Sequence, residues 1–434
     1  MRQALRLARL DLCIARISQK RRFTGCSALR KVFQEGDIVL LRDKNETSHD
    51  TGKLLTLDRS KTTGTRRGLI KHDDIIGKQP RQTVQTHKNH TLRIHEPTLG
   101  EYVRLTPRIV TPIYPSDANL VVSLLDIHVD TYGSTTGDEP TFEILEAGTG
   151  HGALTLHLSR AIHAANPPFP RSSSASSNPT PQAVEDAMDG AIYEGAPVSD
   201  IEITNLESWK ANRRAIIHTL DIAVKHTKHA KQIVQGFRHG MYARNVDFHV
   251  GDVSEWIAEQ KELRNIDGPF LSHVFLDMPN ADRHLGNVAE ALRANGILAV
   301  FNPSITQIAE CVALINKQRL PYLLDQVVEL GVGNIRQWDV RPVRPRATLR
   351  EKGGARQPEA TLSDSPVLAA VNEVEGQKAR DRELAQDSAK QGEEFVMVCR
   401  PKVGELVVGG GFLALWRRME PAQRRRSGDS IDGS

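Results

Sequence analysis

Cysteine is nearly absent from this chain. Its four copies, Cys13, Cys26, Cys311 and Cys399, are scattered, with no CxxC pair and no His/Cys cluster. Neither a disulfide framework nor a zinc site is therefore expected, and a reducing compartment fits best. Aromatic residues are sparse at 5%. No run of eighteen apolar residues occurs, so no helix of the length a bilayer requires is expected. No internal repeat is visible. Charge is not lopsided either, with 57 Lys and Arg against 53 Asp and Glu. The resulting pI near 8.8 is compatible with nucleic acid, but many proteins that never touch it look the same.

What is present is enough chain for two or three units, 434 residues of which 39% are hydrophobic, so a sizeable core can be buried. The first 34 residues stand apart. They carry nine basic residues (Arg2, Arg6, Arg9, Arg16, Lys20, Arg21, Arg22, Arg30 and Lys31) against one acid, Asp11. Leu5, Leu7, Leu10, Leu12, Ile14 and Ile17 are interspersed among them, so a helix here is basic and broadly amphipathic. That is the composition of a mitochondrial presequence, with 1–34 as its extent and the matrix as the destination. The plainer alternative is a basic tail that helps hold RNA.

Behind the leader, residues 35–95 hold short β-like runs at 36–41, 52–57 and 91–95, separated by Gly, Asp and Lys clusters, and read as a small β domain. From 96 to 403 the pattern becomes strands alternating with helices. Strands are expected at 142–147, 215–220, 246–250, 273–276 and 297–301, and helices at 120–127, 153–165 and up to about 236. That alternation predicts an α/β, doubly wound, mainly parallel sheet. Residues 394–399 read as a return to it. Two stretches, about 166–200 (Pro- and Ser-rich) and about 347–391 (rich in charge and Gln), read as disordered insertions. Residues 404–434, with Arg424, Arg425 and Arg426 near the end, read as a basic flexible tail.

The chemistry starts at Glu146-Ala147-Gly148-Thr149-Gly150-His151-Gly152, which follows a strand and runs through Ala153 and Leu154 into a helix. Glycines there let the backbone turn sharply and a ligand lie against the main chain. In a dinucleotide-binding fold such a loop holds a pyrophosphate. Glu146 at the strand's end repels phosphate and suits a cationic ligand, such as a sulfonium bearing an amino group. A tight turn with no ligand is the alternative. Asp221 ends the next strand, where a carboxylate can take both ribose hydroxyls. Asp252, after Gly251, ends the third, where it can accept from an adenine amino group. Each could instead be a helix N-cap. All three in order at strand C-terminal edges, where open α/β sheets bind ligands, point to a nucleoside-bearing cofactor, S-adenosyl-L-methionine.

At this point the sequence resembles a known family, the tRNA adenine-58 N1-methyltransferases, over about residues 36–346 apart from the insertion. The resemblance rests on HEPTLGEY at 95–102, TPIYPSD at 111–117, FEILEAGTGHGALTLHL at 142–158, Leu276-Asp277-Met278-Pro279, Phe301-Asn302-Pro303-Ser304-Ile305-Thr306-Gln307, and Arg336-Gln337-Trp338. It implies a Rossmann-like class I methyltransferase sheet with a small N-terminal β domain, as a fungal-like mitochondrial member. It also implies that Asp277, beside the cofactor, orients the target adenine through its N6 amino group. Tyr114 is similar to the aromatic residue that lies against that base; a packed tyrosine is its alternative. Gln307 and Trp338 are candidates to line the same pocket, or core residues. The chain departs from the family pattern at His151, where serine is usual, at Asp221, where glutamate is common, and in both insertions.

The family resemblance further implies tRNA as partner and a homotetramer, or a hetero-oligomer with a non-catalytic sibling subunit, with no membrane and no metal involved. Arg66, Arg67, Lys71 and His72 offer an RNA-contacting surface on the β domain. His226, Lys228, His229 and Lys231 offer another, or a solvated helix face. A non-catalytic RNA-binding partner is the competing class, but such a chain is expected to lose the glycine loop and Asp277. A methyltransferase for proteins or small molecules is the third, since fold does not fix substrate.

Overall fold

The computed structural model describes residues 31–44, 51–134, 140–169, 200–331, 338–343, 396–401 and 410–420. The leader up to residue 30, most of the first predicted insertion and the whole of the second lie outside these residues. Two compact units divide the chain, one holding residues 1–330 and 409–434 and the other 331–408.

The first unit begins with the β domain. Strands β1 (Ile38–Asp43), β2 (Lys53–Thr56), β5 (Thr83–Gln85) and β6 (Thr91–His95) form an antiparallel sheet in the order β2-β1-β6-β5, and β3 (Thr62–Thr65) pairs with β4 (Gly68–Lys71). Phe33, Val39, Leu41, Leu57, Ile70, Ile75 and Ile94 fill its core. The predicted boundary at 95 is tightly sewn. Arg42 reaches Glu101 at 3.0 Å with both side chains largely buried, and His239 lies 2.7 Å from Asp37.

Helix α1 (Leu99–Leu105) starts on a reciprocal capping box between Thr98 and Glu101, which satisfies two of its free amides at once. Helix α2 (Pro115–Leu124) follows, with proline at its first position and Tyr114 just before it. Then comes the large sheet: β7 (Phe142–Ala147), β8 (Ala215–Asp221), β9 (Val246–Val250), β10 (Leu271–Leu276), β11 (Leu292–Asn302), β12 (Tyr322–Leu330) and β15 (Gly411–Arg418), in the order β12-β15-β11-β10-β7-β8-β9. The five strands from β11 to β9 run parallel; β15 is antiparallel to both its neighbours. Period-two alternation feeds two cores, one on each face. Ile144, Phe275, Ala299 and Leu415 enter one; Leu145, Val274, Leu298 and Trp416 enter the other. Helices α3 (Ala153–Ile162), α4 (Asp200–Ala211), α5 (Val224–Gly236), α6 (Val253–Arg264), α7 (Leu285–Ala291) and α8 (Ile305–Gln318) complete the alternation.

Three expectations are corrected. The stretch read as a flexible tail contains β15, whose Leu413, Ala414, Leu415 and Trp416 are buried in the middle of the sheet. The terminal arginines masked this short apolar run, whose place depends on partners far away in sequence. Residues 394–399 do not return to this sheet: β14 (Val396–Pro401) pairs antiparallel with β13 (Trp338–Val343) in the second unit. The first insertion also begins later than expected. Asn166 is buried and donates to Ala215 O at 2.8 Å, while Pro167 O accepts from the Trp209 indole at 2.9 Å.

Strand β7 lies between β8, to which the chain runs next, and β10, to which it returns. That reversal opens a crevice at the strands' C-terminal ends, where doubly wound sheets bind ligands. The glycine loop sits there.

Candidate active site

The loop between β7 and α3 is pinned from below. Gly148 N donates to Leu220 O at 2.8 Å, and Asp277 N donates to Ala147 O at 2.8 Å. The Thr149 and Thr219 hydroxyls lie 2.8 Å apart. Gly148 has φ 94°, and a Cβ there would run into the carbonyl oxygen of Asp277. Glycine is thus required twice over, by torsion and by the close approach of the β10 strand end. Gly152, at φ 77°, would press a Cβ to 3.1 Å from Ala230, so it sets the packing of α3 against α5. Ala153 and Leu154 open α3 and are buried.

The acids divide their work differently from the sequence expectation. Glu146 is buried beneath the loop, where one oxygen accepts from Thr155 at 2.6 Å and from Thr219 at 2.8 Å. Burial, with the nearby Asp277 charge adding to it, pushes its carboxyl up to about 7. It braces the loop from inside rather than offering a free carboxylate to a cation. Asp221 accepts from Gly150 N at 3.1 Å and Ala223 N at 2.9 Å, and stands 3.3 Å from His226. Asp252 is an N-cap, accepting from Ser254 N and Glu255 N, with its other oxygen 3.7 Å from His284. His151 is buried between Thr106 and His229, 3.1 Å from each, and burial pulls its pKa down to about 4. It is a neutral packing group.

These residues fit the nucleoside part of S-adenosylmethionine. The β8–β9 register sets Asp221 beside Val250, and Ile222 and Val250 are bare to solvent although apolar. Gly251 faces open space. A hydroxyl-binding carboxylate beside a bare apolar floor suits a ribose bearing a flat base.

Next to this edge lies a cavity of about 380 Å³. Tyr114, Asp117, Asp277, Met278, Phe301, Asn302, Gln307 and Leu330 are among its lining residues. Among the described residues nothing hydrogen-bonds the Asp277 carboxylate. Burial, and the like charge of Asp221, push it up to about 6. Tyr114 is half-buried on the wall, with its hydroxyl 3.5 Å from Arg108. An unpartnered acid and an aromatic face thus share one cavity beside the glycine loop.

Comparison with known proteins agrees with this geometry. Residues 32–84 match the family described as TrmI-like N-terminal. Over 275 residues the chain is 28% identical to the tRNA (adenine(58)-N(1))-methyltransferase TrmI of Thermus thermophilus, spanning 63% of this chain and 78% of that one. A 99-residue stretch is 32% identical to the tRNA (adenine(57)-N(1)/adenine(58)-N(1))-methyltransferase TrmI of Methanocaldococcus jannaschii, 23% of this chain and 30% of the relative. The fold is shared with a SAM-dependent O-methyltransferase of Thermotoga maritima, at TM-score 0.53 and 15% identity over 92% of this chain and 99% of that one. The chain is thus similar to tRNA (adenine(58)-N(1))-methyltransferases over nearly two thirds of its length.

The structure also sorts the remaining candidates. Gln307 does line the cavity, and its Oε1 is buried without a partner among the described residues. Arg336 and Gln337 lie outside the described residues. His72 is not an RNA-facing group: it is buried, with Nδ1 accepting from Asp58 N and Nε2 2.7 Å from Thr63. Arg67 is exposed but paired with Asp43 at 3.1 Å. His226 and His229 turn toward Asp221 and His151 rather than forming a phosphate patch with Lys228. Sequence reasoning gave no role to Asp117 or Asn302. Both were visible in quoted motifs, but only the fold brings the start of α2 and the end of β11 to the same wall.

Proposed function

We propose that this chain is an S-adenosylmethionine-dependent tRNA methyltransferase that modifies N1 of adenine 58 in the T-loop, with Asp277 orienting the base. The observation that carries the reading is the unpartnered Asp277 carboxylate, facing a cavity of base-binding size beside the glycine loop. When bound, S-adenosylmethionine supplies an electrophilic methyl group. Adenine N1 already carries a lone pair, so the protein needs no strong base; its task is to hold that nitrogen in line. Asp277, raised to about 6, is still largely ionised at pH 7.5 and accepts from the N6 amino group. Its charge also opposes the positive charge that grows on the ring as N1 is alkylated.

A target adenine stacked inside a folded tRNA must leave the stack to reach this cavity. Tyr114 offers it a ring face, worth roughly 1–3 kcal/mol. Met278, Phe301 and Leu330 supply apolar walls. Lys71 and Arg66 are exposed on the β domain and are suited to phosphate, which makes affinity fall with salt. The basic leader is read as a matrix-targeting presequence, and a homotetramer as the assembly.

The test is methyl transfer from labelled S-adenosylmethionine to unmodified mitochondrial tRNA, followed by nucleoside analysis. 1-Methyladenosine that disappears in Asp277→Ala is the expected result. Failure to form it, with cofactor binding intact, refutes the tRNA reading for the isolated chain. A cytosolic signal from a reporter fused to residues 1–34 refutes the targeting reading. A monomer mass in light scattering refutes the tetramer.

A further inference from the structure

We propose that Asn302 is the residue that selects adenine, reading its N6 and N7 edge while Asp277 holds the other N6 hydrogen. The inference rests on the tRNA N1-methylation reading and adds to it the base-discriminating contact.

Asn302 is the last residue of β11, only 5% exposed, and it lines the cavity. Its backbone is locked in the sheet opposite Phe412. Pro303, which has no N–H, follows, and then Ser304 caps α8 by accepting from Thr306 N. The position of Asn302 is therefore fixed from both sides. Its carboxamide, however, has no hydrogen-bond partner among the described residues. Its polar atoms are not sealed inside the protein but open onto the cavity, so this fixed carboxamide is free to take a partner that enters from outside. The neighbouring Gln307 adds to the same wall an Oε1 that is buried and has no partner among the described residues. Two amides and one carboxylate without hydrogen-bond partners among the described residues, in a single cavity, describe a site suited to a polar, planar ligand.

Chemistry selects the ligand's edge. The register pairing Leu276 with Val300 brings Asp277 and Asn302 to the ends of adjacent strands. Adenine carries two hydrogens on N6 and an acceptor at N7. A carboxylate can take the N6 hydrogen on the N1 side. A carboxamide can accept the other and donate to N7, the bidentate match of Asn or Gln to adenine. This arrangement leaves N1 free, as methylation there demands. Guanine would set its O6 against the Asp277 carboxylate and offer no hydrogen to Asn302 Oδ1. Pyrimidines lack N7.

The experiment compares kcat/KM on tRNA carrying adenosine or 7-deazaadenosine at the target position, in wild type and Asn302→Ala. Wild type is expected to lose about tenfold on the deaza substrate, the weight of one contact that leaves a buried donor unpaired. Asn302→Ala is expected to lose a similar factor on adenosine and to treat the two substrates alike. A structural role would lower both rates and leave the ratio unchanged. Asn302→Asp, which keeps the shape and removes the donor, should also bring the ratio near one and guards against misfolding of the alanine variant. Equal rates on the two substrates in wild type, or a ratio that survives in either variant, overturns the proposal while 1-methyladenosine formation stands. Absence of 1-methyladenosine in wild type overturns the tRNA reading and this proposal with it.

Discussion

Replacing Asp277 by asparagine should make the protein more stable and less active, and the size of the gain follows from its surroundings. Burial and the Asp221 charge lift the carboxyl from its ordinary 3.8 to about 6. The folded state therefore holds the proton more tightly than the unfolded chain does. That favours folding below 3.8, and the benefit is lost as pH rises through 6, leaving the ionised acid a burden at neutral pH. The gap corresponds to roughly 3 kcal/mol at pH 8; the side chain's partial exposure brings this nearer roughly 2 kcal/mol. For a chain of this size, Asp277→Asn should melt a few degrees higher at pH 8. At pH 5 the wild-type acid is mostly protonated in the folded state, so the difference should shrink to roughly half. Thermal denaturation at both pH values reads this directly, and single-turnover methyl transfer should fall about a hundredfold or more as the carboxylate's charge is lost. Equal melting at pH 8, or an advantage that ignores pH, refutes the picture of a strained and unpaired carboxylate.

Three further outcomes are expected. Gly148→Ala forces a side chain against Asp277 O at positive φ, so calorimetry should find cofactor affinity reduced at least tenfold along with lower stability. Thr219→Val removes one of two hydroxyls on Glu146 and should cost about 1–2 kcal/mol in urea unfolding; a neutral result would mean that water replaces the hydroxyl freely. Arg213, nearly buried and 2.7 Å from Asp247, leaves a stranded acid when cut to alanine, so stability should drop by about 3 kcal/mol, with Asp247→Asn in the same background recovering part of the loss.

The parts legible in the sequence are those whose signal is local. The β7 strand, the glycine turn and α3 follow one another within twenty-five residues, and the structure matches that reading almost residue for residue. The ends of β8 and β9 were legible because apolar runs stop at Asp221 and near Asp252. The partner each acid takes was not. Glu146 and Asp221 have the same short-range signature, yet one turns inward to threonine hydroxyls and the other to loop amides. β12 was missed because Asp325, Gln326 and Glu329 break its apolar pattern on an exposed face. β15 was hidden for another reason: its partners β11 and β12 lie about eighty residues or more back, a distance no local window spans.

That late strand completes the sheet only after the chain has passed through the whole of the second unit. β15 fills the slot between β11 and β12, and Gly410 just before it borders the cavity. A ribosome that stops near residue 400 would release a chain with every cofactor residue in place and a gap through the sheet beside the base-binding wall. Prematurely terminated copies would thus be left with an open groove between two strands, a ready mark for proteases and chaperones. Loss of residues 411–418 would therefore cost the sheet far more than their number suggests.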